Sequence, residues 1–138
     1  MQKLKKIDAK TNVITWFEIP VLDIDRARTF YENILDIKMT TRYLEETNEE
    51  LTFFPSKEGV IQATSGRVTG VLTKSAEVKP ASTGTMVYIN SSPSLQVVLD
   101  KVEKNGGKIV MPPIEIQAGL IAAIIDTEGN KVGLHAEK

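Results

Sequence analysis

The chain has 138 residues, 41% hydrophobic and 25% charged, with a net charge of −1. This is the composition of one globular domain, or of two small modules around one core, and at this length roughly two thirds of the unfolded surface can be buried. The absence of cysteine excludes disulfides, thiolate metal sites and thiol nucleophiles; a single histidine excludes a multi-histidine zinc site within one chain; and the balanced charge, with no basic stripe, argues against a nucleic-acid partner.

Residues 1–11 form a polar lead-in, with Lys3, Lys5 and Lys6 read as a solvated tail. No apolar run follows these charges, so neither a signal peptide nor a membrane anchor is expected, and the expected location is cytoplasmic. Residues 13–19 (VITWFEI) are rich in β-branched and aromatic side chains and predict a strand that Pro20 ends. Asp23 or Asp25 can cap a helix, because a carboxylate accepts from the free N–H groups of the first turn. Ile24, Ala27, Tyr31 and Ile34 then recur at helical spacing, with Phe30 beside them. Residues 37–44 and 51–54 predict strands joined by the acidic turn 45–50. Residues 60–74, interrupted by Gly66 and Gly70, predict one long irregular strand or a strand behind a lid-like loop. Residues 75–83 (SAEVKPAST) are the one linker-like stretch.

The pattern then restarts. Residues 84–90 (GTMVYIN) predict a strand, Ser92 a helix cap and Pro93 the first helical position. Leu95, Val98, Leu99 and Val102 make the apolar face, and Asn105-Gly106-Gly107 stops the helix. Residues 108–116 predict a strand that Pro112-Pro113 confines to a sheet edge. Residues 120–135 (LIAAIIDTEGNKVGLH) predict a closing hairpin whose turn is 126–130. The oxygens of that turn lack the spacing of a calcium loop, and Gly129 suits a plain hairpin turn.

The two halves align at an offset of 70 residues, which sets Trp16 on Met86 and Ile19 on Ile89. A unit of strand, capped helix and three strands therefore occurs twice, as module 13–74 and module 84–136 around linker 75–83, within a single domain spanning 1–138. Alternation along strands separates two faces. Phe17 and Ile19, Val87 and Ile89, and Val132 and Leu134 form a purely apolar set that belongs under the helices. Trp16 and Glu18, Met86, Tyr88 and Asn90, and Gly133 and His135 form a mixed set on the opposite face. The mixed face offers an apolar platform for an organic ligand (Trp16, Met86 and Tyr88) and one acid/base pair, Glu18 and His135. The plainer alternatives are barrel filling for the first group and solvated rim positions for the second.

The runs FEIPVLDIDRARTFYENIL, GTMVYIN, KVEKNGGKIV and DTEGNKVGLH, in this order and spacing, resemble the glyoxalase / bleomycin-resistance / extradiol-dioxygenase superfamily, also called vicinal oxygen chelate proteins. The resemblance spans about residues 13–135. It implies an α+β fold in which two βαβββ modules form a cup-shaped, partly open mixed β-barrel with helices outside, a small-molecule pocket in the cup, and frequent homodimers. Metal-dependent members place His, Gln or Glu on the first, fourth, fifth and eighth strands. Those positions fall here on Trp16, near residues 69–73, on Met86 and on Gly133, none of which suits a divalent metal, so the resemblance points to a metal-free branch with no cofactor. The expected ligand-binding residues are Trp16, Glu18, Met86, Tyr88 and His135; the expected catalytic residues, if there is turnover, are Glu18 and His135. The alternatives are a metal-dependent glyoxalase-like lyase, isomerase or dioxygenase acting on a small oxygenated metabolite, and a ferredoxin-like regulatory domain with a flat sheet and no pocket.

Overall fold

The computed structural model describes residues 6–138. Lys3 and Lys5 of the expected tail lie outside this range. Two four-stranded mixed sheets and two helices make up the fold, and neither sheet closes into a barrel. The first sheet holds β1 (Phe17–Pro20), β2 (Thr40–Leu44), β3 (Glu49–Phe53) and β4 (Gly70–Lys74) in the order β1-β4-β3-β2. The second holds β5 (Tyr88–Asn90), β6 (Lys108–Ile116), β7 (Gly119–Ile125) and β8 (Lys131–Ala136) in the order β5-β8-β7-β6. In each, the first strand pairs parallel to the fourth and the remaining pairs are antiparallel. The repeat read from the sequence is thus a repeat of topology, and it removes the single flat sheet of the ferredoxin-like alternative.

Helix α1 (Ile24–Leu35) forms because its apolar residues fall on one stripe and its ends are capped. Asp23, not Asp25, is the cap: its carboxylate accepts from the Arg26 N–H at 3.0 Å. Asp36 closes the helix in the left-handed region at φ 53°. Ile24, Ala27, Phe30, Tyr31 and Ile34 are buried, as their spacing predicts. Helix α2 (Leu95–Val102) buries Leu95, Val98, Leu99 and Val102. The two helices pack against each other and against one face of the sheets, so residues of both modules share one apolar cluster. Each fully buried Ile, Leu or Phe there is worth about 1.5–3 kcal/mol.

Several boundaries differ from the sequence reading. The first strand starts at Phe17, not residue 13, because pairing with β4 begins at Phe17 opposite Gly70. The segment before it is held differently: Asn12 donates through its backbone N–H to Ala63 O and through Nδ2 to Gln62 O, and its Oδ1 accepts from Gly66 N–H. Glu49 and Glu50 belong to β3, and the turn is shorter than 45–50 because Asn48 takes φ 54°. Residues 60–69 are irregular, and only β4 is strand. The strand expected over 84–90 shrinks to β5, which leaves Met86 outside any element. The cap of α2 is Ser94, whose Oγ accepts from Val97 N–H, and not Ser92, whose Oγ accepts from Glu137 N–H instead. β6 is an edge strand, with register shifts on both sides of residue 111, where Pro112-Pro113 interrupts the ladder.

The turn of the closing hairpin ties the modules together. Asp126 Oδ1 accepts from the N–H groups of Glu128 and Asn130, and its Oδ2 accepts from the buried Tyr31 hydroxyl at 2.7 Å. Asn130 donates to Pro20 O, and its Oδ1 accepts from Ala81 N–H in the linker. Glu128 Oε1 accepts from the N–H groups of Leu22 and Asp23, both at 2.8 Å, just ahead of α1. Arg26 donates to both Glu128 oxygens, at 2.7 and 3.0 Å. Burial raises the Glu128 carboxyl, but the Arg26 guanidinium, the two backbone donors and the Thr127 hydroxyl outweigh it and bring the group down to about 2. Among the described residues, no helix is long and apolar enough to cross a membrane.

Candidate functional site

The helix-free faces of the two sheets carry the mixed set of side chains. Alternation is as read from sequence: Ile19, Ile89, Val132 and Leu134 are buried in the common core, while Glu18, Tyr88 and Asn90 are exposed on the opposite face. Register then assembles rows that periodicity within one strand cannot give. Across the second sheet, Tyr88 lies opposite Gly133, Gly133 opposite Ala123, and Ala123 opposite Met111. The next row is Asn90, His135, Ile121 and Ile114.

These rows floor an open hollow of about 430 Å³ lined by Tyr88, Asn90, Ile116, Ile121 and His135. Tyr88 sits over Gly133 so closely that a Cβ there would lie 2.4 Å from the ring. Glycine at 133 is therefore what lets the ring lie across β8. His135 Nε2 is 2.6 Å from Ala118 O. A carbonyl only accepts, so Nε2 carries the proton and the basic lone pair of the neutral ring sits on Nδ1. Asn90 Oδ1 accepts from Ser92 N–H, which leaves its amide hydrogens for a guest. The hollow thus presents apolar walls with a phenol, an amide donor and an imidazole acceptor.

The five ligand-binding residues expected from sequence do not share one place. Tyr88 and His135 line this hollow. Glu18 belongs to the first sheet and Trp16 sits just ahead of it: the indole Nε1 donates to Glu18 Oε2 at 3.3 Å, and the indole packs edge-on to Phe53 with centroids 6.1 Å apart. Met86 is half-buried in the segment leading into β5. Glu18 and His135 lie on different sheets, and the hydrogen bonds of each go elsewhere, to Trp16 and to Ala118. Beyond the five, the hollow is lined by Asn90, which alternation puts on the mixed face, and by Ile116 and Ile121. The signal for Ile121 was available, since it and His135 are equidistant from the centre of the 126–130 turn.

The positions that the resemblance assigns to metal ligands do not fit a divalent ion. Trp16 Nε1 is a donor only, Met86 is a thioether, Thr69 Oγ1 donates to Pro55 O, and the space a longer side chain at Gly133 would need is filled by Tyr88. Among the described residues, no three His, Asp or Glu side chains cluster at metal-binding distance.

The model of the Glyoxalase/Bleomycin resistance protein/Dioxygenase superfamily matches residues 13–134. No curated protein matches the sequence. Among solved structures, a glyoxylase/bleomycin resistance protein/dioxygenase domain from Frankia sp. EAN1pec is 19% identical, with 92% of this chain and 98% of that one covered and a TM-score of 0.62. The trypanothione-dependent glyoxalase I of Leishmania major is 20% identical over 91% of this chain and 87% of that one, also with a TM-score of 0.62. Glyoxalase I from Zea mays is 20% identical with a TM-score of 0.61, covering 89% of this chain but only 45% of the maize enzyme, so the chain spans less than half of that protein's length. At these identities the likeness is one of fold.

Proposed function

The chain belongs to the Glyoxalase/Bleomycin resistance protein/Dioxygenase superfamily, and from that premise we propose that it binds a small, largely apolar organic molecule in the hollow of the second sheet, without a metal ion. The observation that carries this reading is the hollow itself: about 430 Å³, walled by Ile116 and Ile121, with Tyr88, Asn90 and His135 as its polar groups. Sites of this kind take most of their affinity from apolar burial and their orientation from a few polar groups. A neutral planar molecule with one carbonyl suits it, stacked on Tyr88 and accepting from Asn90. The chain acts as a homodimer in this reading, because Tyr88, Ile114 and Ile116 stand exposed around the hollow and a second copy would roof them.

Turnover is the second reading, and one observation favours it. The Ala118 carbonyl fixes the His135 tautomer, leaving Nδ1 as a base for a glyoxalase-like proton transfer. Glu18, bonded to Trp16, joins such a site only if another copy brings the pair there.

The test is a titration with acetophenone followed by amide chemical shifts. Shifts should centre on Tyr88, Ile121 and His135, and Tyr88→Ala should weaken binding by about tenfold, which is about 1.4 kcal/mol. Shifts elsewhere, or an unaffected Tyr88→Ala, would overturn the placement. Calorimetry with Ni(II), Zn(II) and Mn(II) should show no stoichiometric uptake; tight uptake would return the reading to metal-dependent chemistry.

A further inference from the structure

We propose that the outer edge of the first sheet holds a second small-molecule site, one that takes an oxyanion (carboxylate or phosphate) carried on a planar apolar body. It is separate from the second-sheet hollow and does not rest on that reading. Lys38, Thr40 and Arg42 stand at every second residue leading into and along β2, so they share one side, while Met39 between them is buried on the other. With Phe53, Ser56 and Glu58 they line a hollow of about 410 Å³.

Three features distinguish this hollow from a merely solvated edge. The ion pairs among the described residues are Arg26–Glu128, Arg28–Glu32 and Lys74–Glu50, so neither Lys38 nor Arg42 makes one there, although the Lys38 charge helps to hold the Glu32 carboxyl down. Glu58 is the one acid on the lining, which leaves it net positive. The Arg42 guanidinium lies 5.6 Å from the centroid of the Phe53 ring, and Phe53 in turn meets Trp16. The guanidinium is thus held over an aromatic shelf with a planar fork that matches two oxygens of a carboxylate or phosphate.

The internal repeat supplies a control. Thr40 lies opposite Phe53 and Arg42 opposite Leu51. The same places in the second sheet are Met111, opposite Ala123, and Ile114, opposite Ile121. The topology is therefore satisfied by apolar residues at both positions. A charge on an edge strand guards against edge-to-edge pairing, but it need not be a guanidinium stacked on Phe53, and the oxyanion is what that cation, beside Lys38 and the Thr40 and Ser56 hydroxyls, would serve.

Benzoate, phenyl phosphate and the neutral benzamide, titrated into the full chain and read by amide shifts, test the assignment. Both anions should shift Thr40, Arg42 and Ser56, and the tighter of the two names the headgroup. Arg42→Gln should weaken each by about tenfold or more, Arg42→Lys by less, and Lys38→Gln by several-fold, with affinity falling as NaCl rises. Tyr88→Ala should leave the constants unchanged, which separates failure here from failure of the second-sheet site. Benzamide binding as tightly as benzoate, Arg42→Gln without effect, or shifts confined to Tyr88 and His135 would each overturn the proposal.

Discussion

Glu128 carries more structural weight than its place in a hairpin turn suggests. Its side chain is fully buried, against a half-exposed Arg26, and its carboxyl sits near 2 where an ordinary glutamate sits at 4.5. A group depressed in the folded state contributes stability that is complete above its unfolded value and lost as pH falls through its folded value. The advantage of wild type over Glu128→Gln should therefore be full above about pH 5 and should shrink between 4.5 and 2. Its size is on the order of 3 kcal/mol. Urea denaturation of both proteins from pH 2 to 7 measures it; a constant difference would mean that the charge contributes nothing. Gly133 gives a second prediction at this scale. A methyl there collides with the Tyr88 ring, so Gly133→Ala should cost about 1–3 kcal/mol. In a Tyr88→Ala background the same change should be nearly neutral, and a double-mutant cycle reads the difference. Tyr88 and His135 were legible from alternation alone. Asn90 shares the mixed face with Tyr88, and Ile121 mirrors His135 about the turn, but that both meet His135 in one hollow follows only from pairing between strands. Glu18 lies in β1 and Trp16 just ahead of it, and alternation within one segment does not say which sheet a residue shares with another.

At the scale of elements, sequence signals locate both α-helices and every strand core, miss the 3-10 turn Glu103–Asn105 that follows α2, and misjudge several ends. Helical stripes are redundant: five buried residues mark α1 and four mark α2, so a one-residue error does not change the burial. Ends rest on single side chains. Ser92 and Ser94 are equally good caps by type, and the choice is made by the chain end returning past α2, where Lys138 O accepts from Leu95 N–H and Glu137 N–H donates to Ser92. Ser94→Ala should cost about 0.5–1 kcal/mol, as loss of an N-cap does, and Ser92→Ala should cost less. Thermal unfolding of the two variants decides it; the reverse ranking would restore Ser92 as the cap. Short strands such as β5, at three residues, are hard to bound from sequence because they exist only where a partner offers hydrogen bonds, and the bonds with β8 run only from Val87 O, which accepts from Gly133 N–H, to Ser91 N–H, which donates to His135 O. Met86 is the casualty: its β-rich surroundings suggested strand, and no pairing reaches it.

Across the whole molecule, the repeat suggests two independent modules, but the interactions argue for one folding unit. The apolar cluster draws on both halves, with Phe30, Tyr31 and Ile34 of α1 in the same core as Leu95, Leu99 and Val102 of α2. The hairpin turn near the end of the chain supplies acceptors to Leu22, Asp23, Arg26 and Tyr31 near its beginning. A module cut at the linker would leave its helix stripe wet and these donors without partners, each buried one costing about 1–3 kcal/mol. That is a large part of the 5–15 kcal/mol that holds a typical domain. Residues 13–74 alone should therefore fail to fold, and the full chain should unfold in one step. Trp16, the single tryptophan, lies in the first module, whereas β7 and β8 are the longest continuous pairing of the second without a register shift. Fluorescence of Trp16 and hydrogen exchange in β7 and β8 should report the same unfolding free energy, and Glu128→Gln should lower both together. Two separate transitions, or a drop confined to one module, would show that the repeat is a repeat of stability as well as of topology.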